Sequence, residues 1–85
     1  MKIEEIFSSK GRIKILLVLL KSGELNISEI SRRTGLNYAT VNRHLKILED
    51  AGLVVHRRFG RIRLYQIDKS DKRVQVLEKL ISVWK

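Results

Sequence analysis

The chain contains no cysteine and no proline, and five of its 85 residues are aromatic. Without cysteine there are neither disulfides nor thiolate-held metal ions. The only histidines are His44 and His56, and neither lies in a ligand-spaced cluster, so no metal and no other cofactor is expected. No nucleophile–base pair, phosphate-cradling loop or paired carboxylates stand out, so the pattern is not that of an enzyme. The longest apolar run, Ile15 to Leu20, is far short of the roughly 20 residues that span a bilayer. No signal-like segment precedes it, and a soluble, cytoplasmic protein that does not touch membranes is the expectation. Repeats, low-complexity tracts and Pro/Gly/Ser-rich linkers are also missing, so residues 1–85 are expected to form one domain.

Acidic residues are scarce as well. There are 9 Asp and Glu against 18 Lys and Arg, a net charge of +9. The excess is concentrated in residues 32–63, which hold eight basic side chains (seven of them Arg) and two acidic ones. Arginine matches phosphate or a guanine edge with a planar fork that lysine lacks. A polyanion is therefore the expected partner. A solubility surface of a thermophilic protein is the bland alternative, but it would mix its charges rather than cluster them. The wealth of Ile, Leu, Lys and Arg does resemble the composition of a thermophilic archaeon or its virus.

Ile3, Ile6 and Phe7 are spaced as on a short leading helix. Ser8 or Ser9 can cap a helix running to about Lys21, closed by Ser22-Gly23. That helix is apolar almost all round, from Ile13 through Leu17 to Leu20, so it should be buried on more than one side. An 85-residue monomer buries only about 60–65% of its unfolded surface, so the second side should meet a partner chain. Glu24-Leu25 can form a single bridge. Asn26 and Glu29 make a capping box for a helix over Ile27 to Thr34. Gly35 breaks it, Leu36 plugs the turn, and Asn37 caps a helix from Tyr38 to Ala51. Its core stripe is Val41, Leu45 and Leu48.

Leu53 to Arg58 and Arg61 to Ile67, joined at Phe59-Gly60, predict a hairpin. Asp68 or Ser70 caps a last helix to about Lys85, with one stripe of Val74, Leu77, Ile81 and Trp84 and a second of Val76, Leu80 and Val83. One stripe would cover the core and the other a partner helix. The fold class is mainly α with a small β-hairpin, an α+β arrangement. Its DNA-binding core is assigned to residues 8–67 and its dimerisation helix to residues 69–85.

The order helix, short helix, turn, helix, hairpin is that of a winged helix-turn-helix, whose third helix enters the major groove. Opposite the core stripe lie Ala39, Asn42, Arg43 and Lys46, with Tyr38 and Thr40 at the N-terminal end. Arg43 can pair with guanine O6 and N7, and Asn42 with adenine N6 and N7. Tyr38 and Thr40 suit phosphates or a thymine methyl, and Lys46, further along, suits the backbone. Arg57, Arg58, Arg61 and Arg63 crowd the hairpin, where they would repel one another unless a backbone or minor groove lies alongside. Phe59 is assigned to packing the turn, with contact to sugar as the alternative. His44 is expected to pack against the turn or bond a phosphate, and His56 to lie on the strand surface.

Residues 11–67 resemble the winged helix-turn-helix of ArsR-type and MarR-type regulators. The resemblance is carried by Gly11-Arg12-Ile13-Lys14-Ile15-Leu16, by Ile30 to Asn37, by Thr40 to Val54, and by Leu64-Tyr65-Gln66-Ile67. It implies contacts to double-stranded DNA from Tyr38, Ala39, Thr40, Asn42, Arg43 and the wing arginines. It also implies a homodimer through the first and last helices, for which Ile3, Ile6, Phe7, Leu17, Val74, Leu77, Ile81 and Trp84 are the candidate interface. The family's metal sensors use cysteines or histidine–acid clusters that this chain does not have. The expected function is a sequence-specific regulator, a repressor that occludes a promoter. The alternatives are an architectural protein that coats DNA without sequence preference, and a winged-helix module that binds protein.

Overall fold

A computed structural model describes residues 2–84; the expected helix end at Lys85 lies outside the described residues. Seven elements follow in order: α1 (Ile3–Phe7), α2 (Lys10–Ser22), α3 (Ile27–Thr34), α4 (Tyr38–Asp50), β1 (Val54–Phe59), β2 (Ile62–Ile67) and α5 (Lys72–Trp84). None of the described helices is long and apolar enough to cross a membrane.

Local chemistry sets each helix boundary. Of the two serines before α2, Ser9 is the cap, its hydroxyl accepting from the Arg12 N–H at 3.2 Å. At α3, Asn26 Oδ1 accepts from the Glu29 N–H at 2.8 Å while the Glu29 carboxylate accepts from the Asn26 N–H at 3.0 Å, satisfying two otherwise orphaned donors. Asn37 caps α4 in the same way, accepting from the Thr40 N–H at 2.8 Å.

The turn between α3 and α4 sets the angle of α4 and is held from both sides. The buried Thr34 hydroxyl donates to the Ile30 carbonyl at 2.7 Å and accepts from the Leu36 N–H at 3.3 Å. Ser31 Oγ donates to the Leu36 carbonyl. Gly35 closes α3 with a φ of 76°, in the left-handed region. A Cβ there would meet no neighbour. The cost of Gly35→Ala is therefore purely conformational, about 1–2 kcal/mol. Denaturant titration should show a lower midpoint with an unchanged slope.

The core is one cluster gathered from every element except α1. Ile15, Leu16 and Leu19 of α2 meet Ile27 and Ile30 of α3, Val41, Leu45 and Leu48 of α4, and Leu53, Val54, Tyr65, Ile67 and Val74 beyond. The expected α4 stripe is fully buried. The hairpin is antiparallel, with Val54 opposite Ile67, His56 opposite Tyr65, Arg58 opposite Arg63 and Phe59 opposite Ile62. Leu25 adds a single bridge to Tyr65, donating and accepting at 3.0 and 2.8 Å.

The turn is Gly60-Arg61 rather than the expected Phe59-Gly60. Gly60 has the positive φ, 62°, that a two-residue II′ turn needs at its first position. Phe59 thus belongs to β1 and is 68% exposed, which overturns its assignment to packing. One face of the hairpin carries Val54, His56 and Arg58 with Ile67, Tyr65 and Arg63. It is buried at its base and exposed at its tip.

The cap of α5 is Asp71, not Asp68 or Ser70. Asp71 Oδ1 accepts from the Arg73 N–H at 2.8 Å, whereas Asp68 shapes the preceding turn by accepting from the Ser70 N–H and hydroxyl. The Arg73 guanidinium grips Asp71 and holds its carboxyl down at about 2. The same guanidinium donates to the Ala51 carbonyl at 2.8 Å, pinning the start of α5 to the end of α4. Val74 is 1% exposed and lies in the core of its own chain, so it is withdrawn from the candidate dimer interface. Along the rest of α5, Leu77 and Ile81 are half-buried, while Val76, Leu80, Val83 and Trp84 are exposed.

Candidate nucleic-acid interface

Burying Val41, Leu45 and Leu48 turns the other side of α4 outward. Tyr38, Ala39, Asn42, Arg43 and Lys46 are all exposed, and Thr40 is half-buried. Arg43, Asn42 and Lys46 make no side-chain hydrogen bond or ion pair among the described residues, so their polar ends are available to a ligand.

Four segments converge on a polar groove of about 480 Å³. Ser28 brings in the first turn of α3, Tyr38 and Asn42 the first half of α4, Arg58 and Arg63 the facing hairpin strands, and Arg61 the turn. The walls combine helix N-termini, which favour anions, with three guanidinium groups. Sequence reasoning missed Ser28; its position in the first turn of a well-capped helix was the available signal.

The four wing arginines do not act alike. Arg58 and Arg63 are cross-strand neighbours on the groove side. Arg57 points to the opposite face and is held there by Glu24 in a two-pronged ion pair of 2.7 and 2.8 Å. That pairing holds the Glu24 carboxyl below the usual carboxylate range. Arg57 therefore braces the wing against the chain entering α3, and its place among the nucleic-acid contacts is withdrawn.

His44 packs where α2 meets α4. A Cβ on Gly11 would come within 2.8 Å of His44 Nε2, so only glycine allows this approach without a shift. Burial first, then the charges of Arg12 and Arg43, hold the imidazole below the usual histidine range. Protonating it would place a third cation beside two guanidinium groups. The folded pKa lies below the unfolded value of about 6.5, so this stabilisation is complete above pH ~6.5 and declines as the pH falls below it. Thermal melts of the wild type should show that decline, and His44→Gln should flatten it with His56 present in both proteins.

The residues do not fit a metal ion. Among the described residues no three of His, Cys, Asp and Glu come together. His44 is flanked by arginines, and His56 Nδ1 is engaged by Glu49.

At the other end of the molecule, Ile3, Ile6, Phe7, Leu17 and Leu77 line an open apolar groove of about 150 Å³. Ile3, Phe7 and Leu17 are exposed along it, while Ile6, Leu77 and Ile81 are half-buried. The basic and apolar surfaces thus occupy different sides of the domain.

Comparison with known proteins agrees with this architecture. Residues 9–55 match the profile of the bacterial regulatory protein, arsR family. The chain is 30% identical over 78 residues to a cadmium resistance transcriptional regulatory protein CadC homolog of Staphylococcus aureus, and spans 64% of that protein's length. It is 34% identical over 83 residues to the HTH-type transcriptional regulator MJ1325 of Methanocaldococcus jannaschii, covering 94% of this chain and 91% of that one. The solved homodimeric winged helix-turn-helix DNA-binding domain Mb0332 from Mycobacterium bovis superposes with a TM-score of 0.75 at 32% identity, covering 93% of this chain and 70% of that one. The chain has a winged helix-turn-helix fold and belongs to the arsR family of bacterial regulatory proteins.

Proposed function

We propose that the chain is a sequence-specific, double-stranded DNA-binding transcription regulator that works as a homodimer. The observation that carries this reading is the basic groove, where the first turns of α3 and α4 and Arg58, Arg61 and Arg63 of the wing face the same space. Helix α4 (residues 38–51 with its cap) lies in the major groove, about 12 Å wide, with Asn42 and Arg43 against base edges. Tyr38, Ala39 and Thr40 lie at its leading end, and Lys46 meets the backbone. The wing, residues 56–63, follows the backbone or minor groove with Arg58, Arg61 and Arg63.

The homodimer is supported by the apolar surface of α1, α2 and α5, and by the homodimeric state of the Mycobacterium bovis domain. Its candidate contacts are Ile3, Ile6, Phe7, Leu17, Leu77, Ile81 and Trp84, with Val76, Leu80 and Val83 added by their exposure. A two-fold dimer places its half-sites about 34 Å apart along the duplex, and a dimer seated on a promoter represses by occlusion. The protein acts on the nucleoid in the cytoplasm.

Selection from a random duplex library at near-physiological salt tests this reading. An inverted repeat with that spacing is the expected product. Retention of DNA without a motif would replace it with an architectural role, for which a net charge of +9 is suited. No retention even at low salt would turn attention to a protein partner.

A further inference from the structure

The tip of the wing is apolar as well as basic. Phe59 and Ile62, paired across the last rung of the hairpin, are 68% and 48% exposed and are not part of the core. The Gly60-Arg61 turn beyond them leaves them uncovered. Ile62 also lines the basic groove beside Tyr38 and Asn42, so the pair is continuous with the candidate DNA surface. Arg61 sits in the turn next to it, Arg58 and Arg63 adjoin it along the strands with their side chains on the other face, and Arg57, held by Glu24, shares its face. An apolar protein partner closing over the tip would have to desolvate Arg61 and the edge of Arg58 and Arg63 without a counter-charge. The apolar surface suited to a second copy lies instead on α1, α2 and α5. A duplex offers phosphates for the arginines and, between the two phosphate rows, sugar and base surfaces for the ring.

We propose that Phe59, backed by Ile62, is an apolar wedge that enters the minor groove and partly unstacks a base step, adding shape-based readout to the contacts of α4. The inference rests on the DNA-binding reading. Apolar side chains inserted between base steps kink a duplex, and pyrimidine–purine steps such as TA open most easily. The wing then selects a deformable A·T step that no side chain hydrogen-bonds.

The test uses an alternating d(TA) duplex with 2-aminopurine in place of one adenine, and an alternating d(CG) duplex for comparison. The wild type should prefer d(TA) and raise 2-aminopurine fluorescence as the base loses its stacking. Phe59→Ala should bind d(TA) about tenfold more weakly, the loss typical of one aromatic–base contact. It should also lose the fluorescence rise and keep the wild-type salt dependence, because no charge is removed. Phe59→Leu, still a wedge, should keep most of both signals. Arg61→Ala should instead lower the salt slope by about 1 and retain the fluorescence rise. Equal binding and equal fluorescence for wild type and Phe59→Ala would overturn the wedge and leave DNA binding intact. If the wild type binds neither duplex at low salt, the DNA-binding reading falls, and the wedge with it. Phe59 is not a core residue, so the melting temperature of Phe59→Ala should match that of the wild type.

Discussion

The double substitution Phe7→Ser with Leu17→Glu is expected to convert the protein from dimer to monomer and to lower its affinity for a two-half-site duplex by at least about 100-fold. Phe7 and Leu17 are 52% and 41% exposed on the rim of the groove between α1, α2 and α5. Apolar patches of this kind mark association sites on small soluble domains. A carboxylate at Leu17 would have to be desolvated against the partner's apolar side chains, at a cost of several kcal/mol. Neither residue belongs to the core formed by Leu16, Leu19, Leu45 and Leu48, so the monomer should keep its fold. Binding through two half-sites gains roughly 10²–10⁴ over a single one because the second contact is intramolecular. The variant should lose that gain while binding an isolated half-site as the wild type does. Sedimentation at micromolar concentration and titration of both duplexes check the two parts. A wild type that sediments as a monomer would overturn the dimer outright.

What the sequence discloses about this architecture depends on the range of each signal. Caps, capping boxes and helix-ending glycines act within four residues, so Asn26 with Glu29, Asn37 and Gly35 could be placed from their neighbours alone. The Val41, Leu45 and Leu48 stripe was equally legible, because a helix has one period and one buried side. The wing was harder. Moving a two-residue turn by one position slips the strands past each other by two residues, so the faces stay as they are but every residue changes its cross-strand partner. A turn at Phe59-Gly60 would set Arg58 opposite Arg61 and take Phe59 out of the strand, whereas the Gly60-Arg61 turn sets Arg58 opposite Arg63 and leaves Phe59 exposed on β1. The departure of Arg57 to Glu24, 33 residues away, has no local signal. The two stripes of α5 posed a different difficulty. Both are apolar, and only the attachment of Arg73 to Ala51 decides that Val74 turns inward. The approach of His44 to Gly11 joins residues 33 apart and leaves no local trace.

Arg43→Ala should weaken binding by about 1–3 kcal/mol per half-site and relax the preference at one base pair in each. The argument is geometric. Leu45 and Val41 are fully buried, which fixes the rotation of α4 and sends Arg43 outward from its middle, next to Asn42. No carboxylate among the described residues holds its guanidinium, unlike Arg57 with Glu24 and Arg73 with Asp71. Its fork is therefore free to pair with guanine O6 and N7. Lysine reproduces the charge but not the fork, so Arg43→Lys should restore much of the affinity and little of the discrimination. Lys46, one turn further on and assigned to the backbone, provides the contrast. Lys46→Ala should weaken binding evenly across sequences and lower the salt slope by about 1 for each site it occupies. Affinities for the selected site and its single-base variants, measured at two salt concentrations, separate the two behaviours. Unchanged base preference in Arg43→Ala would move the reading of sequence from this residue to Asn42 and the wing.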